Sequence, residues 1–198
     1  MPRTTAKPAD RKTSARNPGE PRLSRQRKPQ DLPIDDWQRA LRRQFGREQA
    51  FELENLGDDP VFSEFSVYNP DSRRRYRVAI RGAQAGDNHC SCPDFATNDL
   101  GTCKHIEFTL GRLQARRGGK TALKQGYRPP FSELFLDYAG LRRIRLRLGT
   151  EAPAKLVDQA AKLFDADGAL NPANYPRFDA FLAIAAKLGH ELRAYDDA

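Results

Sequence analysis

The chain has 198 residues, 38% of them hydrophobic and 30% charged, with a formal net charge of +8 and a mean hydropathy of −0.77. That length suits one good-sized domain, or one domain with a tail, and is enough to bury a core. No run of about 18 apolar residues occurs, which argues against a membrane span, and the basic N-terminus has no apolar segment of the secretory kind. The expected location is the cytoplasm, including the nucleoid, where thiols stay reduced.

Charge divides the chain. Residues 1–30 carry nine Lys or Arg against Asp10 and Glu20, a net +7, leaving 25 basic and 24 acidic residues, or +1, for everything after. The same segment holds five prolines, no aromatic residue and one leucine, Leu23. It cannot bury enough apolar surface to offset chain entropy and reads as a disordered basic tail. Arg22, Arg25, Arg27 and Lys28 within it are candidate phosphate contacts.

Order is expected from about residue 31. In "LPIDDWQRALRRQFGREQ", Asp35 or Asp36 is a candidate helix cap, and Trp37, Leu41 and Phe45 (or Ala40) share a face at spacings of four. "AFELENLG", "PVFSEFSVYNP" and "RRRYRVAIRG" read as strands, and "AQAGDN" as a chain reversal. Arg73, Arg74 and Arg75 form a basic run at the start of the third strand. The chain then enters "HCSCPDFATNDLGTCKHI", residues 89–106, which contains all three cysteines.

Cys90-x-Cys92 and Cys103-x-His105 are a Cys3His donor set, the closed tetrahedral arrangement of structural zinc. In an extended segment Cys90 and Cys92 point to one side, while Ser91 and His89 point away. Residues two apart in a helix lie about 200° apart, so Cys103 must precede a helix that carries His105 on its first turn. Gly101 gives the approach freedom and Thr102 is available as a cap. Phe95 and Phe108 are expected to pack around the site, with Asp94 hydrogen-bonding near the thiolates. "HIEFTLGRLQARRGG" supplies the helix through Ile106, Leu110 and Leu113, ending at Gly118–Gly119.

Beyond about residue 126, "LRRIRLRLG" alternates Arg143, Arg145 and Arg147 with Ile144, Leu146 and Leu148, a strand with one basic face. "PAKLVDQAAKLFDADG" and "YPRFDAFLAIAAKLGHELRAYDDA" read as two helices, which places His190 on a helix surface. "DADG" at 165–168 fails the register of a calcium loop and reads as a turn. "GGKT" at 118–121 is no P-loop, since Gln114 stands where the motif requires glycine.

The residues CSCPDFATNDLGTCKHIEFTL resemble the SWIM zinc finger, whose pattern is Cys-x-Cys, a variable gap and Cys-x-His. The resemblance implies Cys90, Cys92, Cys103 and His105 as zinc ligands, a ββα finger over about 76–118, and interaction with DNA or protein. The flanks "FSVYNPDSRRRYRVAIRG", "PPFSELFLDYAG" and "GHELRAYDDA" are similar to the N-terminal accessory region of bacterial Swi/Snf-type helicases. The expected fold is α+β: a disordered tail over 1–30, a small antiparallel sheet with the finger over 31–125, and a strand with helices over 126–198. No ATPase motif is visible, so an accessory module without enzymatic activity or a small-molecule substrate is expected. Its partner would be nucleic acid, DNA first, or a Swi/Snf-type ATPase.

Overall fold

The computed structural model describes residues 22–195. Helix α1 (Ile34–Glu48) follows Pro33, and no side chain caps it; Asp35 and Asp36 sit inside its first turn. There they favour the helix through its dipole rather than by capping. Trp37 and Leu41 are buried, and Phe45 is half-buried.

Residues 22–30, which the composition assigns to the disordered tail, lie along this helix. The Leu23 amide donates to Gln44 Oε1 at 2.8 Å and the Trp37 indole donates to the Ser24 carbonyl at 3.2 Å. Arg22 and Arg25 pair with Glu48, and Arg25 stacks over Phe45 at 4.1 Å. Few apolar groups suffice here because α1 offers acceptors and an aromatic face. The remainder of the expected tail, residues 1–21, lies outside the described residues.

Four strands follow: β1 (Glu52–Asn55), β2 (Glu64–Asn69), β3 (Arg74–Ala79) and β4 (His89–Cys90), an antiparallel sheet in the order β1-β2-β3-β4. In the second of these strands Phe65 and Val67 are fully buried on the inner face alongside Val78 of β3. Cys90 pairs with Val78 across β3–β4, so the register carries it into the same core. The short helix α2 (Pro93–Ala96) and helix α3 (Lys104–Ala115) come next.

Helix α3 packs on the sheet and α1 packs on α3. Gly46 makes that contact close: a Cβ there would stand 2.7 Å from the Phe108 amide nitrogen and 2.9 Å from the Lys104 carbonyl oxygen. Helix α3 stops at Ala115, earlier than the glycine pair predicts. Gly118, at φ +79°, instead turns the chain into helix α4 (Gly119–Gln125).

The second region has its own sheet, β6-β5-β7, built from β5 (Ser132–Asp137), β6 (Arg143–Arg147) and β7 (Leu192–Ala194). Strand β5 pairs antiparallel with β6 and parallel with β7. Helix α5 (Ala154–Leu163), a 3-10 turn (Pro172–Arg177) and helix α6 (Phe178–Lys187) cover it. Leu134, Leu146, Leu156, Leu163, Phe164, Leu170 and Phe181 form this core.

The last predicted helix therefore ends early. Gly189 adopts φ +65°, and the chain returns as β7. His190 is not on a helix surface; its Nε2 lies 2.8 Å from Ser132 Oγ on β5.

The two regions meet at the loop before β4. The Tyr138 amide donates to the Gly86 carbonyl at 3.1 Å, and Leu100 forms a bridge with Ala139. Among the described residues, no helix is long and apolar enough to cross a membrane.

Candidate metal centre

Each of the four predicted ligands arrives by a different local device. Cys90 is set by the β3–β4 register. Cys92 is extended (φ −83°, ψ 151°) and begins α2, where its sulfur accepts the Phe95 amide at 3.4 Å. The chain then turns through Asn98, whose side-chain oxygen accepts the Leu100 amide at 2.9 Å. It continues through Gly101 at φ +70°, where a Cβ would lie 2.5 Å from the Gly86 nitrogen. Cys103 is the residue before α3, in extended conformation, and His105 lies on that helix's first turn. Thr102 is not the cap: its hydroxyl donates to Glu107 Oε1 at 2.9 Å.

These devices bring one donor atom from each ligand within 4.8 Å of all the others. His105 Nδ1 is 3.8 Å from Cys90 Sγ and 4.0 Å from Cys103 Sγ. A tetrahedral zinc ion with ordinary Zn–S and Zn–N lengths separates its donors by roughly 3.6–3.8 Å, so the two histidine–sulfur distances lie within a few tenths of an ångström of that geometry. All four residues are buried, none more than 2% exposed.

The imidazole is fixed by rings, with Phe51 at 5.0 Å on one side and Tyr76 at 4.5 Å on the other. Its other nitrogen, Nε2, is buried without a hydrogen-bond partner. Nδ1 is therefore the nitrogen turned toward the sulfurs, and aromatic packing orients the ring where many metal sites use an acceptor.

Without a cation, the three thiols do not share one charge state. Hydrogen bonds with Cys103 and Cys92, and then burial, push the Cys90 thiol up. Burial chiefly pushes Cys103 up. Hydrogen bonds from Cys103 and Cys90 hold Cys92 far below the usual thiol range. Three sulfurs this close ionise together only beside a cation, because like charges in a dry site repel strongly. The donor set thus fits a metal ion of the zinc type, which when bound would supply a fixed positive centre and four covalently oriented cross-links. No ligand position is left over for water among the four protein donors.

The surroundings follow expectation in part. Phe95 and Phe108 are buried in the same core as the cysteines. His89 faces away, edge-on to Phe95 at 5.5 Å and tilted against Tyr138 at 5.7 Å. Asp94 does not approach the thiolates. It accepts from Arg42 Nε at 3.1 Å and Nη2 at 2.6 Å, tying α1 to the loop that carries the candidate ligands.

The candidate phosphate contacts fall into distinct settings. Arg27 is exposed and Lys28 half-buried, with its ammonium on the Pro29 and Leu32 carbonyls. Arg73 and Arg74 are exposed at the β2–β3 turn, and Arg75 reaches Glu54 and lies over Tyr68. The β6 arginines are engaged. Arg143 pairs with Asp165, Arg145 with Asp87 and Asp137, and Arg147 with the fully buried Glu133 at 2.9 Å.

Sequence reasoning passed over a different set. Arg39, Arg43 and Arg47 line one enclosed groove of about 290 Å³ between α1, α3 and the loop at Ala83–Ala85. Their spacing of four runs beside the apolar face of the same helix, and only the fold shows that it borders a groove. No protein-family model, curated protein or solved structure matches this chain.

Proposed function

We propose that this chain is a zinc-stabilised SWIM-type module that contacts nucleic acid and serves a Swi/Snf-type ATPase as an accessory part, without motor chemistry of its own. The convergence of Cys90, Cys92, Cys103 and His105 carries the reading. With the Cys-x-Cys and Cys-x-His spacing, it is the feature that the SWIM resemblance requires. In this reading β3, β4 and α3 are the ββα finger. Zinc bound by four protein ligands is structural, so the ion's task is to hold α3 against the sheet and, through α3, to hold α1.

Surplus basic residues outside ion pairs, at Arg27 and at Arg73–Arg74, support nucleic acid as the partner. The test is equilibrium binding of a labelled DNA oligonucleotide across a salt series. Affinity falling linearly on a log–log plot supports phosphate contact; no binding at low salt overturns it.

A second reading, docking onto the ATPase itself, has one observation in its favour. A cleft of about 390 Å³ between β6 and α5 is lined by Leu148, Val157, Ala161 and Phe164, and Leu148 and Val157 are exposed. Asp87, Arg145, Arg147, Asp165 and Asp167 line it as well, so a partner docked there would lose affinity with salt less steeply than a phosphate backbone does, and the slope separates the two readings.

A further inference from the structure

The Arg39–Arg43–Arg47 groove has features that a solvated helix face lacks. Helix geometry places the three side chains in a row, about 6 Å apart along the axis, a rise comparable with successive phosphates of an extended strand. Small residues, Ala83, Ala85, Gly101 and Gly111, open part of the opposite side, between longer ones such as Gln84 and Gln114, and a Cβ at Gly111 would meet nothing within 4 Å.

The Arg39 and Arg43 guanidinium groups are oriented but not used up. Arg39 gives Nε to the Leu100 carbonyl at 3.1 Å and Nη1 to Asp36 at 3.2 Å, leaving Nη2. Arg43 gives only Nε to Glu107, at 3.1 Å, leaving both terminal nitrogens. Glu107 is itself held by Thr102, so it fixes Arg43 as well as offsetting part of its charge. Arg22 and Arg25, docked on Glu48 at the same end of α1 as Arg47, add positive charge there.

We infer that this groove is the track for a single phosphodiester backbone, with Arg39, Arg43 and Arg47 each facing one phosphate along α1. The inference rests on the nucleic-acid reading above and names its contact surface. It also moves that surface from the paired β6 arginines to a helix none of whose arginines the sequence reading selected. Thr102 and Glu107 flank the ligands Cys103 and His105, and Gly46 seats α1 on α3, so the metal centre sets the height of one wall against the other.

The experiment is fluorescence anisotropy of labelled single-stranded oligo(dT) with the full chain and three variants, all checked for one metal per chain. Arg43→Gln/Arg47→Gln should weaken binding at least roughly tenfold at low salt and shrink the log–log salt slope by about 1.4, two contacts' worth. The exposed single variant Arg43→Gln should give about half that change in slope, and it serves if the double variant loses its metal. Lys155→Gln/Lys162→Gln, a charge-matched change on α5, should leave the slope as it is. If the wild type binds but the groove variants bind equally well, or the α5 control loses as much, the groove assignment is overturned while the nucleic-acid reading stands. If the wild type does not bind, both fall. Competition by polyglutamate as effective as by unlabelled oligo(dT) would also overturn a phosphate track.

Discussion

The regions before and after about residue 126 are each built on a small sheet covered by helices, yet they are held together differently. The second is an apolar core of the ordinary kind, with Phe181 and Leu156 fully buried between α5, α6 and the β6-β5-β7 sheet. Its fully buried acid, Glu133, is answered by Arg147 and by the Tyr195 hydroxyl. In the first region the centre of the core is polar chemistry: three sulfurs and an imidazole among Phe65, Val67, Val78 and Ile106. Sulfur packs as a small hydrophobe when protonated, but three such thiols cross-link nothing. A chain with strands as short as β4 and a loop as irregular as residues 97–102 would gain rigidity there from a shared ion. Similar burial can thus conceal different dependence, one region resting on packing and the other, in the proposed reading, on a cation.

The largest break in this comparison is Cys103→Ser. Structural zinc contributes on the order of 10–16 kcal/mol at neutral pH, comparable with the stability of a whole domain. Loss of metal and of native structure in the first region is expected, read by metal analysis and amide exchange; retained protection there would refute the metal dependence. Phe181→Ala acts on the other side, leaving a cavity worth about 3–5 kcal/mol. Its unfolding midpoint should drop while the metal content stays at one per chain.

Gly46→Ala sharpens the link between metal centre and groove. A methyl group pressed on the Phe108 amide forces α1 outward, at about 1–3 kcal/mol, and denaturant unfolding measures the loss. A neutral outcome would mean that α1 sits more loosely on α3 than their spacing implies.

The smallest effect is expected at Asp87, where the regions touch. Burial raises its carboxyl above the usual value, and Arg145 and Arg147 only partly pull it back. The folded state therefore holds this proton more tightly than the unfolded chain, so its contribution to stability falls as pH rises from below 3.8 through the raised value. Asp87→Asn should flatten that part of the stability–pH curve; a steeper curve in the variant would reverse the sign.

How much of this could be read in advance varied with the kind of signal. The ligand set was legible because metal chemistry fixes residue type and spacing together: Cys103 had to precede a helix and His105 had to open it. Strands β2 and β3 were legible because one face is buried and the sequence alternates. Strand β5 was not. "SELFLD" is buried on nearly all sides, with Ser132 and Glu133 satisfied by partners far along the chain, so no alternation marks it. The return of the chain as β7 was masked by the helical composition before Gly189. Residues 22–30 look unable to fold by composition, and they order by borrowing acceptors from α1. Alternation of Arg143, Arg145 and Arg147 indicated a strand correctly, but their acidic partners come from other elements and are invisible locally.

The most direct test of the account uses the single tryptophan, Trp37, which sits on α1 in the metal-dependent region. Chelator would be titrated into the purified protein while released metal and Trp37 emission are followed together. The account predicts one zinc ion per chain, with a red shift of Trp37 emission in step with its release. A metal-free protein with native, blue-shifted Trp37 emission, unchanged by chelator, would contradict it.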